Sequence, residues 1–422
     1  MREGQGQRPV EAERTSVSVA EARELILGSV APLGIETVGL AEATGRVLAE
    51  EVVAGVWIPP SDNSAMDGYA VRAADTERAP VTLAVGEDLP AGKRSQRKLL
   101  PGEAARIMTG AAMPEGADAV VMVEDTETEG SRVRIHKAAS LGQHVRRAGE
   151  DVRPGTRIAG PGAVLRAPLC GMLAALGRAL VAVRARARVA VLATGDELVE
   201  PDRLRDDGRI ASSNSYALCA ALREIGAEPV YLGIAPDEPA EIEARFRAAL
   251  ACDAVISTGG VSVGDRDWIK QVLLGLGGEM RLWRVAMRPG APLAFVRVAG
   301  KPVFGLPGNP VSTYVTFEQF VRPSLLRMMG HTNVYRPVVS ARLDADYAKP
   351  AGRAHFVRVA LESRAGEPWA RVAGEQGSNI LLGLVRADGL AFVPAETTRL
   401  ARGERVPVQL LGGESLSSEP GI

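Results

Sequence analysis

Apolar and polar positions along this chain change period three times, and each change marks a different kind of element. Ser18 and Glu21 have the spacing of a capping box, and Ala22, Leu25, Ile26 and Val30 follow at helical intervals. That pattern predicts a helix after a polar N-terminal stretch of fifteen residues, which is expected to be disordered. A second short helix is expected over Ala41–Val52, before Pro59 and Pro60. From Ser61 to about Asp151 the pattern shortens to β-type runs at Val81–Val85, Ala105–Met108, Ala119–Val123 and Val133–Ile135. Leu165–Leu176 returns to helical spacing. From Arg188 onward strands alternate with helices: strands at Val189–Ala193, Pro229–Ile234 and Ala254–Ser257, helices at Ser213–Ile225, Pro239–Leu250 and Asp267–Leu274. Strands at Arg281–Val285, Leu293–Val298 and Val303–Gly305 then precede a long helix from Asn309 to about Met329. Beyond Pro337 only β-like runs remain, at Val338–Leu343, Phe356–Leu361, Ala370–Val372, Leu390–Val393 and Val406–Leu411.

These periods predict an α/β multidomain chain. A helical N-terminal region covers 16–187, with a β subdomain inserted at about 61–151; a doubly wound α/β domain covers 188–331; a small β-barrel covers 337–412. In a doubly wound sheet, ligands bind at the carboxyl ends of the strands.

Composition narrows the function classes. Fifty Lys and Arg against 51 Asp and Glu leave a net charge of −1, so no global field favours nucleic acid or an anionic membrane. Cys170, Cys219 and Cys252 are far apart and sit in apolar runs, which reads as buried hydrophobes rather than a zinc or disulfide framework. The four histidines show no H-x-x-x-H spacing. No secretory leader is visible, and the most apolar stretch, Leu169–Val183, is broken by Arg178, so a cytoplasmic location is expected. The 46 glycines and 27 prolines exceed their ordinary share of roughly 12% together, which points to many tight turns.

Three of those turns share one design: a strand ends in a Gly-rich loop bearing Thr, Ser or Asp, and a helix follows. They are Thr194-Gly195-Asp196-Glu197, Ser257-Thr258-Gly259-Gly260-Val261-Ser262-Val263-Gly264-Asp265-Arg266-Asp267, and Gly305-Leu306-Pro307-Gly308-Asn309-Pro310. Glycines let backbone N–H groups face an anion, and a helix N-terminus adds to the attraction. Asn309 has the chemistry of an N-cap and Pro310 that of a first helical position. None of the loops is a Walker A or a dinucleotide fingerprint. Asp196, Glu197, Asp237, Asp265 and Asp267 accompany the loops, as carboxylates would beside a Mg²⁺ bridged to phosphate; helix capping explains Asp265 equally well, whereas Asp237 and Asp267 point to function. Two N-terminal segments, Pro59–Ala70 and Arg106–Asp118, pack small polar residues around tight turns.

The strings DNSAMDGYAVR, RIMTGAAMPEGADAVVMVE, ATGDEL, STGGVSVGDRD and GLPGNPVS, taken together, resemble the molybdopterin molybdenumtransferase family of the bacterial MoeA type, related to gephyrin-type insertase domains. The resemblance runs over about residues 16 to 412 and implies that the α/β domain binds molybdopterin. It implies insertion of molybdate into adenylylated molybdopterin with Mg²⁺-assisted release of AMP. By the same resemblance Asp67, Thr109, Glu197, Asp237 and Asp267 are tied to catalysis, the last three near the metal. Arg146 and Asp151 belong to a neighbouring substrate segment. Thr194, Gly195, Asp196, Gly259, Gly260, Ser262, Gly264, Pro307, Gly308, Asn309 and Pro310 shape the substrate loops. Arg353, Arg358 and Ser378 match the molybdate pocket. A homodimer whose cleft is shared between protomers is implied, with a molybdopterin adenylyltransferase and downstream molybdoenzymes as partners.

One departure stands out. The family commonly carries K-P-G-K where this chain has Arg288-Pro289-Gly290-Ala291. Arg288 keeps a cation with different geometry, Ala291 removes the second, and Arg353, Arg358 or Lys301 are candidates to compensate. Two other readings stay open: a paralogue that handles another oxyanion such as tungstate, and a non-catalytic scaffold with the insertase fold.

Overall fold

The computed structural model describes residues 16–260 and 268–412. Helix α1 (Val19–Gly28) starts with the expected box: the Ser18 hydroxyl accepts from the Glu21 amide, and the Glu21 carboxylate accepts from the Ser18 amide. Its apolar positions Val19, Ala22 and Ile26 pack on the α/β core, and Val17 bridges to Val285.

The expected helix over 41–52 does not form. One 3-10 turn at Leu40–Glu42 is followed by Gly45 at φ 79, and the chain then extends. Val47 and Leu48 bridge Val164 and Val183, while Val52–Val53 pairs with Arg157–Ala159. Leu48, Val52, Val181 and Val183 share one core, so cross-strand partners far along the chain outweigh a spacing that locally fits a helix. Helix α2 (Ala167–Ala175) closes this unit.

Within the insert, β1 (Gly68–Val71), β2 (Val81–Leu89), β3 (Glu103–Ile107), β4 (Ala119–Met122), β5 (Thr126–Glu129) and β6 (Arg132–Ile135) make one sheet in the order β4-β1-β3-β2-β6-β5. Alternate residues feed separate cores, with Tyr69 and Val71 on one side and Ala70 on the other.

The α/β domain uses β7 (Arg188–Thr194), β8 (Glu228–Ala235), β9 (Ala254–Thr258), β10 (Glu279–Arg284), β11 (Met287–Arg288), β12 (Pro292–Val298) and β13 (Lys301–Leu306). Its sheet order is β8-β7-β9-β13-β12-β10; the first four strands are parallel, β12 pairs antiparallel with β13, and edge strand β10 pairs antiparallel with β12. Both faces are covered. Val189, Val191, Ile256 and Phe304 face the core that includes α1 and α3 (Ser213–Glu224). Ala190, Leu192, Val255 and Val303 face α4 (Pro239–Ala249) and α5 (Trp268–Gly275). This is why the central strands read as continuous apolar runs.

The long helix is present but not uniform. Helices α6 (Pro310–Thr316) and α7 (Arg322–Met328) are joined by a π-helical segment, Phe317–Val321, all five of whose residues are buried. There Glu318 accepts bidentate bonds from Arg336, and Gln319 connects Arg23 of α1 to Gln409.

The C-terminal strands are β14 (Val338–Leu343), β15 (Ala354–Arg364), β16 (Glu367–Val372), β17 (Gly389–Val393) and β18 (Arg405–Leu410). Pairings run β15-β16-β14-β18-β17 and back to β15, a closed five-stranded barrel. The short strand β11 leaves the α/β sheet and pairs with β15, Met287 opposite Ala354 and Arg288 opposite His355. Among the described residues no helix is long and apolar enough to cross a membrane. Cys219 and Cys252 are buried as expected, whereas Cys170 is only half-buried.

Candidate active site

Three groups of residues stand apart from the packing described above. The first gathers the loops at the carboxyl edge of the parallel sheet. Gly259 (φ 90) lies so close to β7 that a Cβ there would sit 2.4 Å from the Thr194 carbonyl oxygen. Gly260 (φ 62) leaves a Cβ position 3.1 Å from Thr194 Oγ1 and 2.7 Å from Ile269 Cδ1. Gly308 approaches Gly259, and its carbonyl accepts from Asn214 Nδ2 at 2.7 Å. Thus Gly195, Gly259, Gly260 and Gly308 form one cradle, with Thr194 beneath it. The hydroxyls of Thr194 and Ser257 are buried there without a hydrogen-bond partner among the described residues. A buried hydroxyl is ordinarily satisfied, so these two stand apart from the rest of the core.

Gly259→Ala is therefore expected to strain the φ 90 backbone and push on Thr194, lowering stability by about 1–3 kcal/mol. The control is Gly308→Ala, whose Cβ would meet nothing nearer than 3.9 Å and should change the melting temperature little. Equal melting temperatures for the two variants would contradict the cradle geometry.

Beside the cradle opens a cleft of about 390 Å³ lined by Asp196, Glu200, Arg203 and Arg209 among others. The Tyr216 and Tyr231 hydroxyls donate to the two oxygens of Glu200, at 2.9 and 2.8 Å, which fixes the wall of this cleft. Burial, reinforced by Glu200, pushes the Tyr231 hydroxyl up to about 12. Glu197 folds back over Gly195, and Asp196 Oδ1 accepts from the Asp237 amide at 3.1 Å. Ser262, Gly264, Asp265 and Asp267 lie outside the described residues. Pro310 occupies the first turn as expected, but the Asn309 side chain makes no capping bond. Instead the Ser378 carbonyl accepts from the Val311 amide at 3.0 Å, so a barrel loop closes the start of α6.

The second group lines a smaller cavity, about 120 Å³, at the seam between β11 and the barrel. Arg288, Tyr347, Lys349, His355, Arg358 and Gln376 line it, and no carboxylate among the described residues does. The Arg288 side chain is exposed and makes no hydrogen bond or ion pair among the described residues. Arg358 is 1% exposed, and its guanidinium donates to the carbonyls of Ile380, Glu375 and Gly377. Lys349, 7% exposed, donates to the carbonyls of Pro350, Arg353 and Ala395. Both side chains bring charge to the cavity, but their hydrogens are largely committed. His355 Nδ1 and the Tyr347 hydroxyl share a 2.8 Å hydrogen bond. Burial, then the positive charges of Lys349, Arg288 and Arg353, push the His355 imidazole down to about 4, so it is neutral at pH 7.

Arg353 is near enough to influence His355 but does not line the cavity. Lys301, a sequence candidate for the missing cation, is at the opposite end of the sheet: it starts β13 and its ammonium donates to the Leu250 carbonyl. Lys349, Tyr347, His355 and Asn214 were not among the candidates. Spacing marks no histidine as a metal ligand, and His355 stands within the Gly-Arg-Ala-His-Phe-Val-Arg string beside Arg353 and Arg358.

The third group is in the insert. The Thr109 amide and hydroxyl both donate to Asp67 Oδ1, at 2.6 and 2.8 Å. These bonds, the amide's first, hold the exposed Asp67 carboxyl below its usual range, with a smaller contribution from Arg106. Arg146 is exposed on a short strand paired with Asn63–Ser64, and the amide of exposed Asp151 donates to the Ile58 carbonyl. The contacts that place these residues lie within residues 58–151, not at the cradle.

The comparisons cover the same three regions. Family models for the MoeA N-terminal region (domain I and II), a probable molybdopterin binding domain and the MoeA C-terminal region (domain IV) match residues 17–177, 190–327 and 340–411. Molybdopterin molybdenumtransferase 2 of Mycobacterium tuberculosis is 42% identical over 382 residues, 88% of this chain and 94% of its own. The molybdopterin molybdenumtransferase of a Nostoc strain is 39% identical, covering 88% of each chain. A crystal structure of the molybdopterin biosynthesis moeA protein from Pyrococcus horikoshii superposes with a TM-score of 0.82 at 34% identity, over 95% of this chain and all of that one. With its α/β cradle, closed barrel and inserted β unit, this chain belongs to the molybdopterin molybdenumtransferase family of MoeA type, transferases of molybdenum cofactor biosynthesis.

Proposed function

We propose that the chain inserts molybdate into adenylylated molybdopterin and releases AMP. The observation that carries this reading is the adjacency of two anion sites of different size. A glycine cradle with orphaned hydroxyls suits phosphate groups. A carboxylate-free cavity with three cationic side chains suits a small tetrahedral oxyanion. The Ser378–Val311 hydrogen bond and the β11–β15 pairing join the two.

In this reading the backbone of the cradle and the Thr194 and Ser257 hydroxyls hold and orient the substrate phosphates. The fixed wall at Glu200, with Arg203 and Arg209, accommodates the nucleotide end. Arg288 draws the oxyanion into the seam cavity, and the buried charges of Lys349 and Arg358 lower its potential energy there. The donors at the cradle's acidic edge are hard carboxylate oxygens, which suit Mg²⁺. Among the described residues no three acidic, His or Cys side chains cluster tightly enough to hold a metal unaided; substrate phosphate oxygens would have to contribute. Glu197 and Asp237, with Asp267 beyond the described residues, would hold a Mg²⁺ that neutralises charge developing on the phosphate. Asp67 and Thr109, set apart from the cradle of their own chain, serve the cleft of a partner protomer in a homodimer. The reaction is placed in the cytoplasm, supplied by a molybdopterin adenylyltransferase and drained by molybdoenzymes.

Purified protein given adenylylated molybdopterin, Mg²⁺ and molybdate is expected to release AMP, and omission of either Mg²⁺ or molybdate should stop it. Release with tungstate alone would replace this reading by that of a tungstate paralogue, the alternative raised by Ala291. No release with any oxyanion, together with failure to restore cofactor synthesis in an insertase-deficient cell, would leave the scaffold reading.

A further inference from the structure

The cation-lined cavity at the seam has charge in excess of free hydrogen-bond donors. Lys349 points its hydrogens at three main-chain carbonyls, and Arg358 commits its terminal nitrogens to three more. Gln376 is likewise occupied, its oxygen by the Arg358 amide and its nitrogen by the Arg358 and Gly374 carbonyls. A tetrahedral anion entering this space needs donors as well as charge, because each oxygen stripped of water must be satisfied. Two lining side chains still have donors to offer. Arg288 has no partner among the described residues, and His355, only 6% exposed, has Nε2 without a partner among them while Nδ1 is held by Tyr347.

We propose that His355 is a direct binding residue for the oxyanion, its Nε2–H donating to one anion oxygen while the Tyr347 hydroxyl donates to Nδ1 and holds that tautomer. The inference rests on the reading of this cavity as the oxyanion site. A neutral imidazole carries one N–H, and the proton cannot serve both nitrogens. With the cavity empty of an anion, the Tyr347 hydroxyl can act as donor or acceptor toward Nδ1. Molybdate at neutral pH is a dianion without a proton and can only accept, so its arrival selects the Nε2–H form and makes Tyr347 the donor. Tyr347 is thus a positioning residue that acts through His355. The depressed basicity of the ring agrees with this, since the neutral form prevails before binding.

The test is calorimetric titration of the full-length protein with sodium molybdate at pH 7.5, without pterin. His355→Leu is expected to weaken binding about tenfold or more, as loss of a hydrogen bond to a charged group should. His355→Gln, whose amide nitrogen replaces the Nε2 donor, should remain within about threefold of the parent, and so controls for folding. Tyr347→Phe should fall between the two. In nitrogen NMR of ¹⁵N-histidine protein, molybdate should drive the His355 Nε2 resonance toward the protonated position, and less completely in Tyr347→Phe. If Arg288→Ala loses molybdate affinity while His355→Leu binds like the parent, the role of His355 is overturned and the cavity reading stands. If Arg288→Ala and His355→Leu both bind like the parent, or the parent itself does not bind, the cavity reading falls and this inference with it.

Discussion

Glu318→Ala is expected to lower stability by about 3–5 kcal/mol and the melting temperature by on the order of 10 °C. Glu318 has a side chain with no solvent exposure, and Arg336, 12% exposed, donates to both of its oxygens at 3.0 and 2.9 Å. Arg322, 15% exposed, lies 3.9 Å away with its Nε already unpartnered among the described residues. Removing the carboxylate leaves two guanidinium groups in the core facing each other. The loss comes from those stranded charges, more than from the pair itself. The double variant Glu318→Leu with Arg336→Met should therefore recover most of the stability in urea or thermal unfolding. A double variant as unstable as Glu318→Ala would show that the π-helical turn, not the charge balance, needs the carboxylate.

The second large effect is the reverse in kind: activity without stability. Asp67→Ala is expected to reduce AMP release on the order of a hundredfold, in the range of losing one preorganised electrostatic partner. Its melting temperature should stay near that of the parent, because Asp67 is exposed and, among the described residues, its carboxylate is hydrogen-bonded only by Thr109. Thr109 binds only one oxygen of Asp67, which leaves the other oxygen of an ionised carboxylate for a second task. If that task lies in the partner protomer's cleft, mixing Asp67→Ala with Glu197→Gln should restore activity. Random reassortment gives half heterodimers with one intact site each, about a quarter of parental activity. No recovery on mixing would place Asp67 in its own chain's cleft.

Much of the architecture was legible because the α/β and barrel strands bury whole faces. Val189–Ala193 is apolar at every position since both sides of β7 are covered. Tyr69, Ala70 and Val71 alternate between two cores, and the insert's β runs show it. The stretch 41–52 failed for a matching reason: Val47, Leu48 and Val52 have helical spacing, yet their partners lie more than a hundred residues downstream. Nothing in the periodicity of 309–329 distinguishes a π-helical turn from an α-helical one, so the burial of Glu318 was invisible. The Gly-rich loops were readable as a set because glycine at positive φ beside a neighbouring strand has a compositional signature. The seam cavity had none. Its lining residues come from β11, from β15 and the segment before it, and from the loop after β16, and only closure of the barrel puts Lys349 and His355 beside Arg288.

Strand β11 has a consequence for inheritance. It is covalently part of the α/β domain but is hydrogen-bonded to the barrel, with Arg288 set opposite His355. The barrel is therefore not an interchangeable module, although it closes on itself and has its own core. A barrel exchanged from a relative would bring its own counterparts of Lys349, His355 and Arg358 to an Arg288 they had never been selected beside. Chimeras of relatives are expected to keep oxyanion affinity only where the crossover takes both walls of the cavity from one parent, and a cut in the linker between the domains does not.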